Sequence, residues 1–431
     1  MGTGCLTLSN RGVNTKKKRK LRQSQPKSNL SVLRQVCQLI PSHLVSKLAR
    51  KHQVDKQART FTPWSHVVAM LFAQLSAAVS LNDLCDNLRN HASRLSMIRD
   101  ALFPSRNGLS NANKERDVGM AKDLFWEVLG HFESQSPGFG QGPRKRKRGL
   151  PRRFKRTIHA VDSSTIKLVA NNMDWAKHRR RKAAAKLHLR LDVRSFLPGY
   201  AIVQKAKHGD NVRARELCAH ILGGEIVVFD KAYVDFDHLH DLKEREVNWV
   251  TRAKSNMVYS VKRRQLKKAQ GNIQRDDIIV LKNAKSKKAN PGELRRIVAL
   301  VEVKGQMVAM EFITNNMEWA ASSVCDIYQS RWEIEVFFKQ IKQNLKLRDF
   351  LGNNANAVGW QIWMALLTYV LLRYLGYLSQ WNHSFSRLCT MVRGVLWEKL
   401  ALRELLVAYG TAGGSFRMLG RPDQAYLPGF S

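Results

Sequence analysis

The stretch Tyr328-Gln-Ser-Arg331-Trp-Glu-Ile-Glu335-Val-Phe-Phe-Lys339-Gln-Ile-Lys342 decides how the rest of the chain is read. It holds no Gly or Pro and is built mainly of good helix formers. An α-helix turns about 100° per residue. With Tyr328 at zero, Arg331 falls at about −60°, Glu335 at about −20°, Lys339 at about +20° and Lys342 at about −40°. These residues share one face roughly 80° wide, while Glu333 points roughly 140° away. Val336, Phe337 and Ile341 lie off that face and can enter a core. An ordinary amphipathic helix would gain about 0.3 kcal/mol from an i, i+4 Glu335–Lys339 pair. One carboxylate ringed by cations and a phenol suits a phosphodiester beside a metal ion better than it suits plain solvation.

Composition narrows the partner. The chain has 431 residues, enough for two to four domains, and is 44% hydrophobic, so it can bury a large core. Lys and Arg number 73 against 34 acids, a formal net charge of +39. An excess that large argues against an ordinary small-molecule enzyme and points to a polyanion, with nucleic acid first. An anionic membrane surface is the weaker choice, because no basic amphipathic anchor is evident. The six cysteines form no CxxC and no zinc spacing with His, which reads as free thiols in a reducing compartment. The N-terminus lacks the apolar core of a secretory signal, and Leu6 breaks a myristoylation pattern. The longest apolar run, 356–378, is interrupted by Gln361, Arg373 and Gly376 and reads as a buried helix.

Along the chain the pattern changes several times. Residues 1–30 carry the block Lys16-Lys-Lys-Arg-Lys20 and read as a disordered basic arm. Residues 31–130 have helical period, with Pro41-Ser42 opening one helix, Ser80-Leu-Asn-Asp83 a capping box, and Ser110-Asn-Ala-Asn113 preceding another helix. Short helices joined by polar turns suit a helix-turn-helix-like DNA reader and equally a small bundle. Residues 131–151 read as a linker with a second basic block, Arg144-Lys-Arg-Lys-Arg148. From 152 to 350 the pattern is α/β. Thr157–Val161 reads as a short strand ending in Asp162, and Leu187–Val193 as a half-buried strand with a hairpin partner at Ala201–Lys205. Asp210 and Asn211 are N-cap candidates for the helix that follows. Glu225–Phe229 reads as a fully buried strand ending in Asp230, followed by a helix at Phe236–Glu244 and a strand at Val247–Thr251. Residues 255–313 read as a β-rich insertion, and 351–431 as C-terminal helices with a Gly-rich tail.

Metal-assisted phosphoryl transfer needs hard oxygen ligands converging from separate elements. Asp162 and Asp230, each expected at the end of an apolar strand, are held more rigidly than loop residues. Either could instead cap the next turn. Among rival acids, Asp192 is expected to pair with Arg190 or Arg194, and Asp235 and Asp237 to favour a helix dipole. His178 and His188 read as structural or phosphate contacts. Trp249, Trp332 and Trp360 could stack on an unpaired base, but core packing is the expected role for each.

The spacing Tyr-x2-Arg-x3-Glu-x6-Lys, together with His159-Ala-Val-Asp162-Ser-Ser-Thr, the Trp175–His188 run, Val228-Phe-Asp230-Lys-Ala-Tyr-Val-Asp-Phe236 and Trp249-Val-Thr-Arg-Ala-Lys-Ser255, resembles the insertion-sequence-four family of bacterial transposases and its YREK signature. The resemblance covers roughly residues 155–375. It implies an RNase H-like catalytic core with a β-strand insertion before the glutamate. By position, it implies Asp162, Asp230 and Glu335 as catalytic residues and ligands of two Mg²⁺ ions, with Mn²⁺ a plausible substitute. Tyr328, Arg331 and Lys342 resemble the residues that handle DNA phosphates. Lys339, Arg252, Lys254 and Lys231 extend that cationic set. Lys231 stands where the family usually has Arg, which keeps the charge and loses the bidentate fork.

The resulting expectation is a DDE transposase that cuts DNA at the ends of an insertion sequence and joins the freed 3′-OH to target DNA. A hairpin intermediate is implied by resemblance alone. Partners would be double-stranded DNA and a second copy of the chain in the DNA complex, with no membrane, in the bacterial cytoplasm at the nucleoid. The competing readings are a nuclease that cuts without joining and a non-catalytic DNA-binding repressor.

Overall fold

The computed structural model describes residues 26–410 apart from 57, 59, 77–79, 141–154, 169–176, 179–181, 206–210, 267–269, 304, 346 and 348–349. The two basic blocks, Asp210 and the tail beyond residue 410 therefore lie outside the described residues.

Ten strands share one sheet: β1 (Ile158–Leu168), β2 (Lys177–His178), β3 (Lys182–Asp192), β4 (Pro198–Lys205), β5 (Ile226–Phe229), β6 (Asn248–Arg252), β7 (Tyr259–Arg264), β8 (Ile273–Leu281), β9 (Leu294–Val303) and β10 (Gln306–Thr314). Their order is β2-β3-β1-β5-β6-β10-β9-β8-β7, with β4 also paired to β3. β1, β3 and β4 are antiparallel, while β5 and β6 run parallel to β1. Helices Asn211–Cys218 and Phe236–Glu244 supply the crossovers into β5 and β6. This is the RNase H-like arrangement. β5 is buried on both faces, which is why its sequence is a continuous apolar run. Ile226 and Val228 enter one core, and Val227 and Phe229 the other.

The β-rich insertion does not stand apart. β10 pairs antiparallel with β6 over Phe312–Thr314, so β7–β10 extend the same sheet. Within it, Arg295 forks onto buried Asp276 at 2.8 and 2.6 Å and also donates to the Trp319 carbonyl at 2.5 Å. That last contact ties the insertion to the segment just before the Ala321–Gln329 helix.

Several elements follow the sequence reading closely. Ser80 and Asp83 form the capping box of the helix Leu81–Asn90, and Pro41 stands at the N-cap of Ser42–Lys51. Others differ. Ser110–Asn113 lies inside the helix Arg106–Glu115, because Ser105 takes the capping role by accepting from the Gly108 N–H at 3.0 Å. Helix Val118–Gln135 starts after Asp117 and runs into the expected linker.

The apolar run is the helix Ala355–Leu378, long and apolar enough to cross a membrane but wrapped by protein over 89% of its most apolar window. Its polar interruptions are answered locally. Gln361 accepts from the Leu351 N–H at 2.8 Å, and Arg373 donates to the Ser195 carbonyl at 2.8 Å. The N-terminal helices pack on this helix and share its core with one face of the sheet. Asn356 stitches the join, donating to the Asn113 and Arg116 carbonyls at 3.0 and 2.6 Å.

Asp276→Ala would strand the Arg295 charge in the interior. It is expected to lower stability by about 3–5 kcal/mol in a urea melt, whereas the paired change Asp276→Leu with Arg295→Met should recover most of that loss.

Candidate active site

β1 and β5 pair in parallel register from Ile158↔Ile226 to Val161↔Phe229. Asp162 and Asp230 are the next residues on the two strands. Neighbouring strands lie about 4.8 Å apart, so the backbones present these acids side by side. Asp162 does not end its strand as the sequence suggested. β1 runs on to Leu168, because it keeps its antiparallel pairing with β3 beyond the point where β5 leaves. Asp230 does end β5, and a short 3₁₀ turn, Lys231–Tyr233, follows it.

The stretch from Tyr328 to Lys342 is not one helix. Helix Ala321–Gln329 stops at Ser330, and helix Trp332–Asn344 begins after Arg331. Between them the bonds tighten to i−3: the N–H groups of Arg331, Glu333 and Ile334 reach Tyr328, Ser330 and Arg331 carbonyls at 3.0–3.1 Å. The Ser330 hydroxyl donates to the Ile327 carbonyl at 2.6 Å, back-bonding into the first helix. Both residues at the joint stay in the right-handed region, so the polar face survives with a small twist.

That joint brings the pieces together. Arg331 Nη1 lies 3.4 Å from Asp162 Oδ2, and Arg331 Nη2 lies 2.7 Å from Glu335 Oε1. Glu335 thus turns back to Arg331, one turn before it, for its ion pair. The Tyr328 hydroxyl donates to Asp230 Oδ1 at 3.4 Å, and its ring packs on Phe312 at 4.9 Å. The Arg331 guanidinium also sits over the Tyr328 ring, 5.7 Å from its centroid. Asp162 Oδ1 accepts from the Ser163 N–H at 2.7 Å. Lys342 Nζ donates to the Thr165 carbonyl at 2.9 Å, clipping the glutamate helix to β1.

The outer cations are placed differently. Lys254 donates to the Val234 carbonyl at 2.8 Å and so braces the loop after Asp230. Lys231, Lys339 and Glu335 are exposed, and Arg252 is half-buried at the end of β6.

Burial drives the Asp162 carboxyl up to about 6, and Glu335 and Asp230 push the same way, against the Ser163 N–H and Arg331. Burial pulls the Arg331 guanidinium down, yet Glu335, Tyr328 and Asp162 together hold it above its ordinary value. Burial also raises the Tyr328 phenol, with Arg331 opposing and Asp230 adding to the rise. Among the described residues, no three acidic, His or Cys side chains stand close enough to grip one ion. The donor chemistry nonetheless fits a hard divalent cation. Asp162, Asp230 and Glu335 come from three separate elements, Arg331 touches two of them and Tyr328 the other, and their oxygens are the hard donors such a cation takes.

Other acids find structural partners. Asp192 accepts from the Arg194 N–H at 2.7 Å and the Ser195 hydroxyl at 2.9 Å, capping a turn. Arg190 serves the Leu217 and Gly199 carbonyls. Asp235 caps Phe236–Glu244, and Asp237 and Asp241 pair with Arg215. Buried His188 contacts Gln204, which Arg213 holds in turn. Trp249 and Trp360 are core residues, but Trp332 is 48% exposed at the first position of the glutamate helix, so core packing was the wrong expectation there. The sequence also missed the link from Arg331 to Asp162, 169 residues earlier. The Arg331–Glu335 spacing was visible, but nothing local could reveal the second partner.

Residues 153–371 match the family described as a transposase DDE domain, and residues 28–98 match a domain of unknown function. The chain is similar to y4zB of Sinorhizobium fredii, a protein named as a transposase, with 30% identity over 305 residues, covering 69% of this chain and 79% of that one. It is similar to the transposase InsG for insertion sequence element IS4 of Escherichia coli, 25% identical over 231 residues, 49% of this chain and 50% of that one. Among solved structures, a piggyBac transposase synaptic complex with hairpin DNA aligns with a TM-score of 0.40 and 10% identity, over 90% of this chain and 82% of that one.

The raised Asp162 carboxyl has a consequence for stability. In the metal-free protein its folded value, about 6, lies above the ordinary 3.8. The folded state therefore holds its proton more tightly, and stability present below about pH 4 is lost as pH rises through 6. Asp162→Asn cannot ionise, so at pH 7–8 with chelator present it should be about 2 kcal/mol more stable than the unmodified protein. The gap should close by pH 4 in urea melts followed across pH.

Proposed function

This chain belongs to the insertion-sequence-four family of DDE transposases, and we propose that Asp162, Asp230 and Glu335 are its catalytic triad. The family depends on a divalent metal. A pair of Mg²⁺ ions, with Mn²⁺ as a substitute, would ready the attacking oxygen and offset charge on the leaving one. The observation that carries the reading is the placement of Asp162 and Asp230 at the point where β1 and β5 part, with Arg331 and Tyr328 joining them to the glutamate helix.

The chain's own residues divide the work. Asp162 and Asp230 ride on the buried sheet and fix the position of the reacting phosphate. Glu335 is exposed on a helix that follows a tightened joint, so it is the acid with freedom to adjust. Arg331, Lys339, Lys231 and Arg252 offset phosphate charge around the scissile bond. Lys342 and Lys254, held by backbone carbonyls, add fixed charge beside it. Tyr328 keeps its proton at neutral pH and stays a donor.

In the first step water attacks the phosphorus at the element end. The bond to the 3′ oxygen breaks, leaving a 3′-OH on the element and a 5′-phosphate on the flank. In the second step that 3′-OH loses its proton and attacks a target phosphate. One target P–O bond breaks as the new one forms, and the departing target oxygen is protonated. The helices of residues 31–130 would bind the element's terminal repeats. Two ends must be cut, so a homodimer on double-stranded DNA is the working unit. A membrane has no part in this reading, and the protein works on the chromosome in the cytoplasm.

Asp162→Ala should slow Mg²⁺-dependent cleavage of DNA bordering the gene by about 10³-fold or more, roughly 4 kcal/mol of barrier. DNA affinity in chelator should change little. The unmodified protein should also give joined products from a precut end. Cutting without joining would mean a nuclease, and no cutting at all would sink the enzymatic reading.

A further inference from the structure

Arg331 stands in an odd place for a residue that meets DNA. It is only 9% exposed. Its guanidinium lies between Asp162 and Glu335, 3.4 Å from one and 2.7 Å from the other. These are two of the carboxylates assigned above to the metal. A guanidinium in contact with Asp162 Oδ2 and Glu335 Oε1 competes with a cation for those two oxygens and repels it at close range.

Two further observations mark the position as provisional. The 3.4 Å contact with Asp162 is long for a charged hydrogen bond, for which about 2.8 Å is usual. The Nε atom is buried with no acceptor, although buried arginine donors are normally satisfied. The residue also sits at the joint between two helices, where the backbone ladder has already tightened to i−3 bonds. A small change there redirects the side chain without breaking a helix interior.

We propose that Arg331 is a placeholder: in the metal-free protein its guanidinium occupies the space between Asp162 and Glu335, and a divalent cation loads by displacing it. The displaced fork keeps an unmet donor at Nε, ready for a phosphate oxygen. The proposal rests on the reading of Asp162 and Glu335 as metal ligands, and the test separates the two.

Mn²⁺ alone is titrated into the full-length protein without DNA, and bound ion is counted by electron paramagnetic resonance. Arg331→Ala should bind Mn²⁺ about tenfold or more tightly than the unmodified protein, while Lys339→Ala, which removes a cation of the same helix that touches neither acid, should shift affinity less than about twofold. Arg331→Met, which keeps the stem volume, stands in if thermal melts show that the alanine variant is unfolded. An arginine variant no tighter than the unmodified protein overturns the proposal. So does equal tightening by Lys339→Ala, because that would be a field effect and no exchange. Asp162→Asn in the Arg331→Ala background should abolish the tight Mn²⁺. If the ion stays, the metal assignment itself is wrong and the placeholder falls with it. If the ion is lost but Arg331→Ala gave no gain, only the placeholder fails.

Discussion

Carboxylates do not gather in a protein interior unless something positive stands among them. Here the sheet forces the issue. The β1–β5 register sets Asp162 beside Asp230, and the core on both sides of β5 prevents either strand from sliding away. Slippage by one residue would turn every buried side chain of these strands to the wrong face. The two acids therefore cannot relax by separation. Burial does most to raise the Asp162 carboxyl, and the Glu335 and Asp230 charges add to it.

Relief comes from the helical side of the site, and it is softer. Arg331 and Tyr328 reach the acids from a helix–helix joint, and Glu335 stays exposed. So the site pairs two acids on a rigid floor with a third, exposed one on a helical arm. The arm is anchored at both ends. Lys342 clips its far end to β1 at Thr165, and the Arg295–Asp276 pair in the insertion fixes the segment leading into it through Trp319. The insertion thus has a mechanical role in addition to any surface it offers, since its strands continue the floor.

What the sequence revealed depended on how local the cause was. The capping box at Ser80, the apolar run of β5 and the helix Phe236–Glu244 are set by neighbours in sequence, and they could be read. Asp162 was misplaced within its strand because Ser163-Ser164 looks like turn chemistry. Pairing with β3, twenty and more residues on, overrode that preference. The break at Ser330 left no mark, since Ser is only mildly unfavourable in a helix and no Gly or Pro signals the joint. The N-terminal helices read equally well as a separate bundle. The answer lay in Ala355–Leu378, a helix apolar all round, which must be covered by some other part of the chain. The face carrying Tyr328, Arg331, Glu335 and Lys342 was legible because helical period is local, although its second contact with Asp162 was not.

The charge of the chain works at two ranges, and the two should not be confused. An excess of +39 draws any duplex toward the protein. That attraction is screened over about 8 Å at physiological salt and carries no sequence information. Close to Asp162 the balance is different: a buried guanidinium is shared between two carboxylates, and a third acid is met by a phenol. A phosphodiester arriving there meets the exposed Lys231 and Lys339, while the Arg331 charge is already shared between two acids. On the proposed assignment, long-range attraction delivers DNA widely, while the pairing with Arg331 holds two of the carboxylates back until a cation displaces it.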